Sequence, residues 1–141
     1  MKATGEFTVS DWKEDALQGQ WEGRQLSSVT AVFEASGAIQ GRFLVAYLMS
    51  YSAIDQEDPH NGTAHYTGYL LFEGSIGEKQ GTLVLEDKGV FAAHAPSSTL
   101  TAVKGSGTGG LEGLVGTGRY YSADGTMAIE LDLTPTEADK G

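Results

Sequence analysis

The side chains best equipped for chemistry are acids, phenols and arginines set inside runs of β-forming residues: Glu34, Arg42, Tyr47, Tyr66, Tyr69, Glu73, Glu86, Arg119, Tyr120 and Tyr121. A carboxyl group turned into an apolar interior has its pKa raised and becomes a proton acceptor or donor near neutral pH. Phenols or an arginine beside it would orient one polar atom of a substrate. Glu34 is the candidate catalytic base on this reasoning, with Arg42, Tyr47, Tyr66 and Tyr121 as the candidate ligand-binding set. Successive side chains of a strand point to opposite faces, so some of these groups must meet solvent. Glu34 shares parity with Val32, and Glu73 with Leu71, which leaves the facing of both open. Glu130 and Asp132 alternate with Met127, Ile129, Leu131 and Leu133 and are assigned outward.

Other motifs carry less. Gly105-Ser106-Gly107-Thr108-Gly109-Gly110 matches G-x-G-x-x-G in letters. A dinucleotide fingerprint needs a helix to begin at its third glycine, and Gly113, Gly116 and Gly118 rule one out. No cofactor is therefore expected. Asp55, Glu57 and Asp58, with His60 and His65, lack the spacing of a calcium loop, and Pro59 interrupts them. They read as a solvated loop and no metal site is assigned. His94 lies in an apolar run and is assigned to the core. The chain has no cysteine, which removes disulfides, thiolate metal sites and a thiol nucleophile. A Gly-x-Ser-x-Gly elbow is missing too.

The elements that must position these groups are strands. No long window shows helical apolar spacing, whereas short β-rich runs recur between turn signals. They cover Ala3 to Trp12, Leu26 to Ala35, Gly41 to Tyr51, Ala64 to Ile76, Gly81 to Lys88, a segment within Val90 to Lys104 broken at Pro96, Val115 to Ser122, and Thr126 to Leu133. The Gly41 to Tyr51 run is apolar on both parities, as expected where one face meets the core and the other a second subunit or a long loop. Ala123-Asp124-Gly125 is a short-hairpin signal. Short connections favour an antiparallel meander. Half of residues 105–118 are glycine, and glycine among β-formers marks sheet corners, so this stretch is predicted to bend the sheet shut. The expected fold is all-β, an eight-stranded antiparallel up-and-down barrel forming a single domain over 1–134, with a flexible acidic tail at 135–141.

The formal charge of −10, from 19 acids against 9 lysines and arginines, argues against a nucleic-acid partner, which needs a concentrated basic surface. No segment approaches the roughly 18 apolar residues of a membrane span, and none resembles a signal peptide. A soluble cytoplasmic protein with no membrane partner is expected.

Ala3-Thr4-Gly5-Glu6-Phe7-Thr8-Val9 with Trp12, Tyr47-Leu48-Met49-Ser50-Tyr51, Gly81-Thr82-Leu83-Val84-Leu85 with Gly89 and Phe91, and Gly105-Ser106-Gly107-Thr108-Gly109 followed by Leu111, Gly113, Leu114, Gly116 and Gly118 occur in order across nearly the whole chain. Together they resemble the bacterial family of unknown function DUF3224. The resemblance implies a barrel similar to the allene oxide cyclases and dirigent proteins, with a central cavity, no cofactor and assembly as a homo-oligomer. It also implies that two positions depart from the family pattern, with Leu70 where many members have glutamate and Asp87 where many have histidine. The leading expectation is a barrel that binds a small, mostly apolar molecule in its interior, as a cofactor-free isomerase or cyclase. The alternative is a non-catalytic oligomeric binding or scaffold protein with its barrel filled by side chains.

Overall fold

The computed structural model describes residues 1–17, 25–52, 63–92 and 95–136. Among these residues nine strands form one sheet: β1 (Lys2–Ala16), β2 (Gln25–Gly37), β3 (Ile39–Ser52), β4 (Thr63–Ile76), β5 (Lys79–Ala92), β6 (Ala95–Ala102), β7 (Thr108–Gly109), β8 (Leu114–Ala123) and β9 (Thr126–Pro135). Each long strand pairs antiparallel with its neighbour in the chain, β6 pairs with β8, and β9 returns to β1. Eight strands thus close an up-and-down barrel, as the turn-punctuated runs predict. Closure gives each long strand a neighbour on both sides, although residues 8–16 of β1 pair with β2 alone. Among the described residues no helix is long and apolar enough to cross a membrane.

The glycine-rich stretch acts differently from expectation. Its first part is not a strand corner but a loop that lays the two-residue β7 against β5, with Gly81 opposite Gly109, and drops Leu111 into the core. A close approach of bent strands is found at Gly41 and Gly74, which face each other across β3 and β4 with φ of 142° and 156°, and, within the later part of the stretch itself, at Gly116 opposite Leu133 with φ of 146°. A Cβ on Gly41 would stand 2.7 Å from the Cα of Gly74, so no other residue lets these backbones approach so closely.

The inward set on β2 is Ser27, Val29, Ala31, Phe33 and Ala35, and on β3 it is Ile39, Phe43, Val45, Tyr47 and Met49. A bulge in β1 between Val9 and Asp11 shifts the register by one. Beyond it Trp12 stands opposite Ala31 and Glu14 opposite Val29, so an indole and a carboxylate that simple alternation would send outward are turned toward the interior.

Along the barrel axis the interior divides in two. Toward the β3–β4 corner it is filled by Ile39, Phe43, Leu70, Phe72, Ile76, Leu83, Leu85 and Leu111, all fully buried or nearly so. Toward the β8–β9 hairpin β3, β4 and β5 supply Tyr47, Tyr66 and Asp87, joined by Ser98 from β6 and Tyr120 from β8. This polar half holds the candidate site.

Candidate functional site

Asp87 is the centre of the polar half. It lies on β5 in the inward register with Leu83 and Leu85, has no exposed surface, and accepts a hydrogen bond at Oδ2 from the Tyr47 hydroxyl at 2.5 Å. Tyr47 and Tyr120 bring their hydroxyl oxygens to 2.6 Å. A phenol has one proton, and that of Tyr47 is committed to the carboxylate, so Tyr120 is the donor to Tyr47. A second pair, Tyr66 and Ser98, is joined at 2.5 Å. Among the described residues Oδ1 of Asp87 has no hydrogen-bond partner.

Packing fixes the phenols. Phe7 and Phe33 stack at 4.6 Å and meet the Tyr120 ring edge-on at 5.3 and 6.0 Å. Tyr47 and Tyr66 pack ring to ring at 4.9 Å. Gly89 leaves the room that Tyr66 needs: a Cβ there would lie 2.5 Å from the phenol carbon and 2.6 Å from the Ser98 hydroxyl.

Burial dominates the electrostatics. Desolvation pushes the Asp87 carboxyl up to about 6, while the hydroxyls of Tyr47, Ser98 and Tyr120 oppose the shift. Desolvation also raises Tyr66 to about 12. It raises Tyr47 and Tyr120 as well, helped for Tyr47 by Tyr120 and Asp87, and for Tyr120 by Asp87. The phenols therefore keep their protons at neutral pH. The carboxyl is the group that changes state.

Above this cluster is a chamber of about 280 Å³, walled by Phe7, Val9, Trp12, Phe33, Tyr47, Met49, Tyr66, Phe91, Pro96, Tyr120 and Met127. Three phenols are the polar part of an otherwise apolar, largely aromatic wall. Asp87 and Ser98 stand behind them rather than in it. At the rim the Trp12 indole donates to Glu14 at 3.2 Å and the Tyr51 hydroxyl to the same carboxylate at 2.6 Å. Such an arrangement can hold one polar atom of an apolar molecule and pass a proton between it and Asp87 through a phenol.

Of the residues expected from sequence, Tyr47 and Tyr66 meet here. Glu34 and Arg42 do not: they pair with each other at 3.5 Å on the outer face, with side chains 45% and 61% exposed. Tyr121 also points outward, under the guanidinium of Arg119 at 4.7 Å from its ring centre. Parity misled because the outer face of β2–β4 is itself apolar, so Val32 and Leu71 gave no sign of the core side. Asp87 and Tyr120 are the groups that candidate set lacks. Asp87 is legible in hindsight from its parity with Leu83 and Leu85. Tyr120 shares its face with Gly116 and Gly118, which carry no side chain to reveal it. His60, His94 and the acids of residues 55–58 lie outside the described residues.

The model of the family described as "Protein of unknown function (DUF3224)" matches residues 3–133. Among solved structures, a protein of unknown function from the same family in Shewanella oneidensis MR-1 is similar in fold, with a TM-score of 0.75 and 24% identity over 96% of this chain and 98% of that one. None of the curated proteins matches the chain.

Proposed function

The chain belongs to the DUF3224 family, and we propose that its barrel binds one small, mostly apolar molecule in the chamber, where cofactor-free acid–base chemistry such as isomerisation or ring closure is available. The observation that carries this reading is an aromatic chamber, open to solvent at its rim beside Val9 and Trp12, that ends on a buried acid–phenol cluster. Its volume of about 280 Å³ falls just below the roughly 300–1,000 Å³ of small-molecule sites, and its composition, apolar walls with few convergent polar groups, is the usual one. A buried carboxylate costs stability unless fully paired, and the neighbouring apolar half shows that this barrel can be filled without one. Tyr47, Tyr66 and Tyr120 would touch the ligand. Asp87 acts through Tyr47 and sets the proton count, the role expected of Glu34 from sequence.

The test is calorimetric titration with 2-naphthol, a flat apolar probe with one polar atom. The expected result is saturable one-site binding that is lost in Met127→Trp, a variant that fills the chamber while keeping its circular dichroism. Equal binding by the filled variant, or no binding by the natural protein, contradicts the proposal.

A second reading concerns assembly. On the outer face Leu44 stands opposite Leu71 and Ala46 opposite Tyr69, with Leu48 alongside; the four large side chains are 39–58% exposed. A contiguous apolar patch of this kind favours contact with a second copy of the chain. Sedimentation of the natural protein as an oligomer and of Leu48→Glu as a monomer would support it. A monomer in both would exclude it.

A further inference from the structure

We infer that the chamber selects ligands by the sense of their hydrogen bond: with Asp87 ionised it takes an uncharged molecule ending in a donor, a phenol or alcohol, and it admits a carbonyl compound only together with one proton taken up by Asp87. This rests on the chamber being a binding site.

Each hydroxyl of the cluster has one proton to give. Tyr47 gives its proton to Oδ2 of Asp87. Tyr120 must then give its own to Tyr47 across 2.6 Å. The other hydroxyl protons of the cluster belong to Ser98 and Tyr66, which share a hydrogen bond. Oδ1 of Asp87 is otherwise unpartnered among the described residues, and the Ser98 hydroxyl is among the groups that stabilise the carboxylate, so its proton is turned toward Asp87. Tyr66 is left donating to Ser98. Every hydroxyl proton then runs toward the carboxylate, and the phenol oxygens in the chamber wall present lone pairs. A ligand hydroxyl is matched. A ligand carbonyl is not.

Protonating Asp87 reverses the chain. The carboxyl O–H donates to Tyr47, Tyr47 donates to Tyr120, and the Tyr120 O–H is released into the chamber, where it can serve a carbonyl oxygen. One proton enters from solvent and remains on Asp87, so the count balances. The groups facing Asp87 are Tyr47 from β3, Tyr66 from β4, Ser98 from β6 and Tyr120 from β8. Glu86 and Lys88, which flank it on β5, pair with each other on the outer face at 3.7 Å. Arg119, beside Tyr120, is held outside by Glu130 at 2.6 Å. No cation among the described wall residues favours an anionic ligand. Desolvation places the carboxyl transition at about 6, so the switch operates close to neutrality.

The experiment compares 2-naphthol with methyl 2-naphthyl ketone by calorimetry at about pH 5 and about pH 8, in buffers of different ionisation enthalpy so that protons are counted. The ketone is expected to bind at least about tenfold more tightly at the lower pH, with uptake of one proton at the higher. Naphthol is expected to bind without proton uptake and no more tightly at the lower pH. Asp87→Asn, with a fixed set of protons, should lose both the uptake and the pH dependence for the ketone. Tyr120→Phe, which breaks the chain at its chamber end, should lose them as well and covers the case in which Asp87→Asn fails to fold. Ketone binding independent of pH in the natural protein, or uptake that persists in either variant, overturns the inference and leaves the chamber standing. Failure of both probes to bind overturns the chamber itself and this inference with it.

Discussion

β3 and β4 carry an inward aromatic pair in each half of the barrel. Phe43 meets Phe72 in one half and Tyr47 meets Tyr66 in the other, and both pairs have ring centres 4.9 Å apart. The hydroxyl groups make the difference. In the first half the rings are fully buried among leucines and isoleucines and leave nothing to satisfy. In the second each hydroxyl needs a partner, and the partners are Asp87, Tyr120 and Ser98. Space follows the same division, because the polar half keeps a chamber of about 280 Å³. The apolar half holds the cylinder together, and that support lets the polar half retain a costly buried acid.

Substitutions in the two halves should separate stability from binding. The largest effect is expected from Phe72→Ala, which opens a cavity in the filled half and should cost about 3–5 kcal/mol in denaturant unfolding. Probe affinity of the folded fraction should be unchanged; a parallel loss of affinity would mean that the halves are coupled.

Asp87→Asn comes next, through pH. The folded carboxyl is raised from 3.8 to about 6, so between these values the native state holds more protons than the unfolded one. Stability from this group is therefore greatest at low pH and falls as pH rises through the window, by about 3 kcal/mol once above the folded value. The natural protein minus Asp87→Asn difference should show that slope. A flat difference would mean that the carboxyl is not buried in solution.

Gly89→Ala should cost about 1–3 kcal/mol by overpacking and should weaken probe binding, since the new methyl displaces the Tyr66 ring. Retained affinity would take Tyr66 out of the site. The smallest effect belongs to Glu34→Gln on the outer face. Loss of an exposed ion pair should change stability by less than about 1 kcal/mol and leave binding intact.

The barrel was legible in the sequence because turn chemistry is local. The Asp124-Gly125 hairpin, the β3–β4 pair and the clean alternation of β9 each follow from a few adjacent residues. The site was legible only in part, since facing depends on contrast between parities. β9 has that contrast. β2 and β3 lack it, because Val32, Leu44 and Leu48 make their outer side apolar too. Glu34 therefore stands among the sequence candidates and Asp87 does not, although Asp87 continues the Leu83 and Leu85 register. The β1 bulge hid Trp12 and Glu14 for another reason: one extra residue inverts every later parity and leaves no mark in composition. The glycine stretch divides between a close-packed loop at 105–113 and a bent strand at Gly116, because glycine permits both.

The chain has three methionines; Met49 and Met127 line the chamber, while Met1 is exposed elsewhere. Carbon-13 methyl spectra recorded during titration with 2-naphthol therefore carry their own control. Saturable shifts of the Met49 and Met127 methyls, with Met1 unmoved, are the result expected of a chamber that holds a ligand. Methyls that all stay in place, or all drift together without saturation, would contradict it.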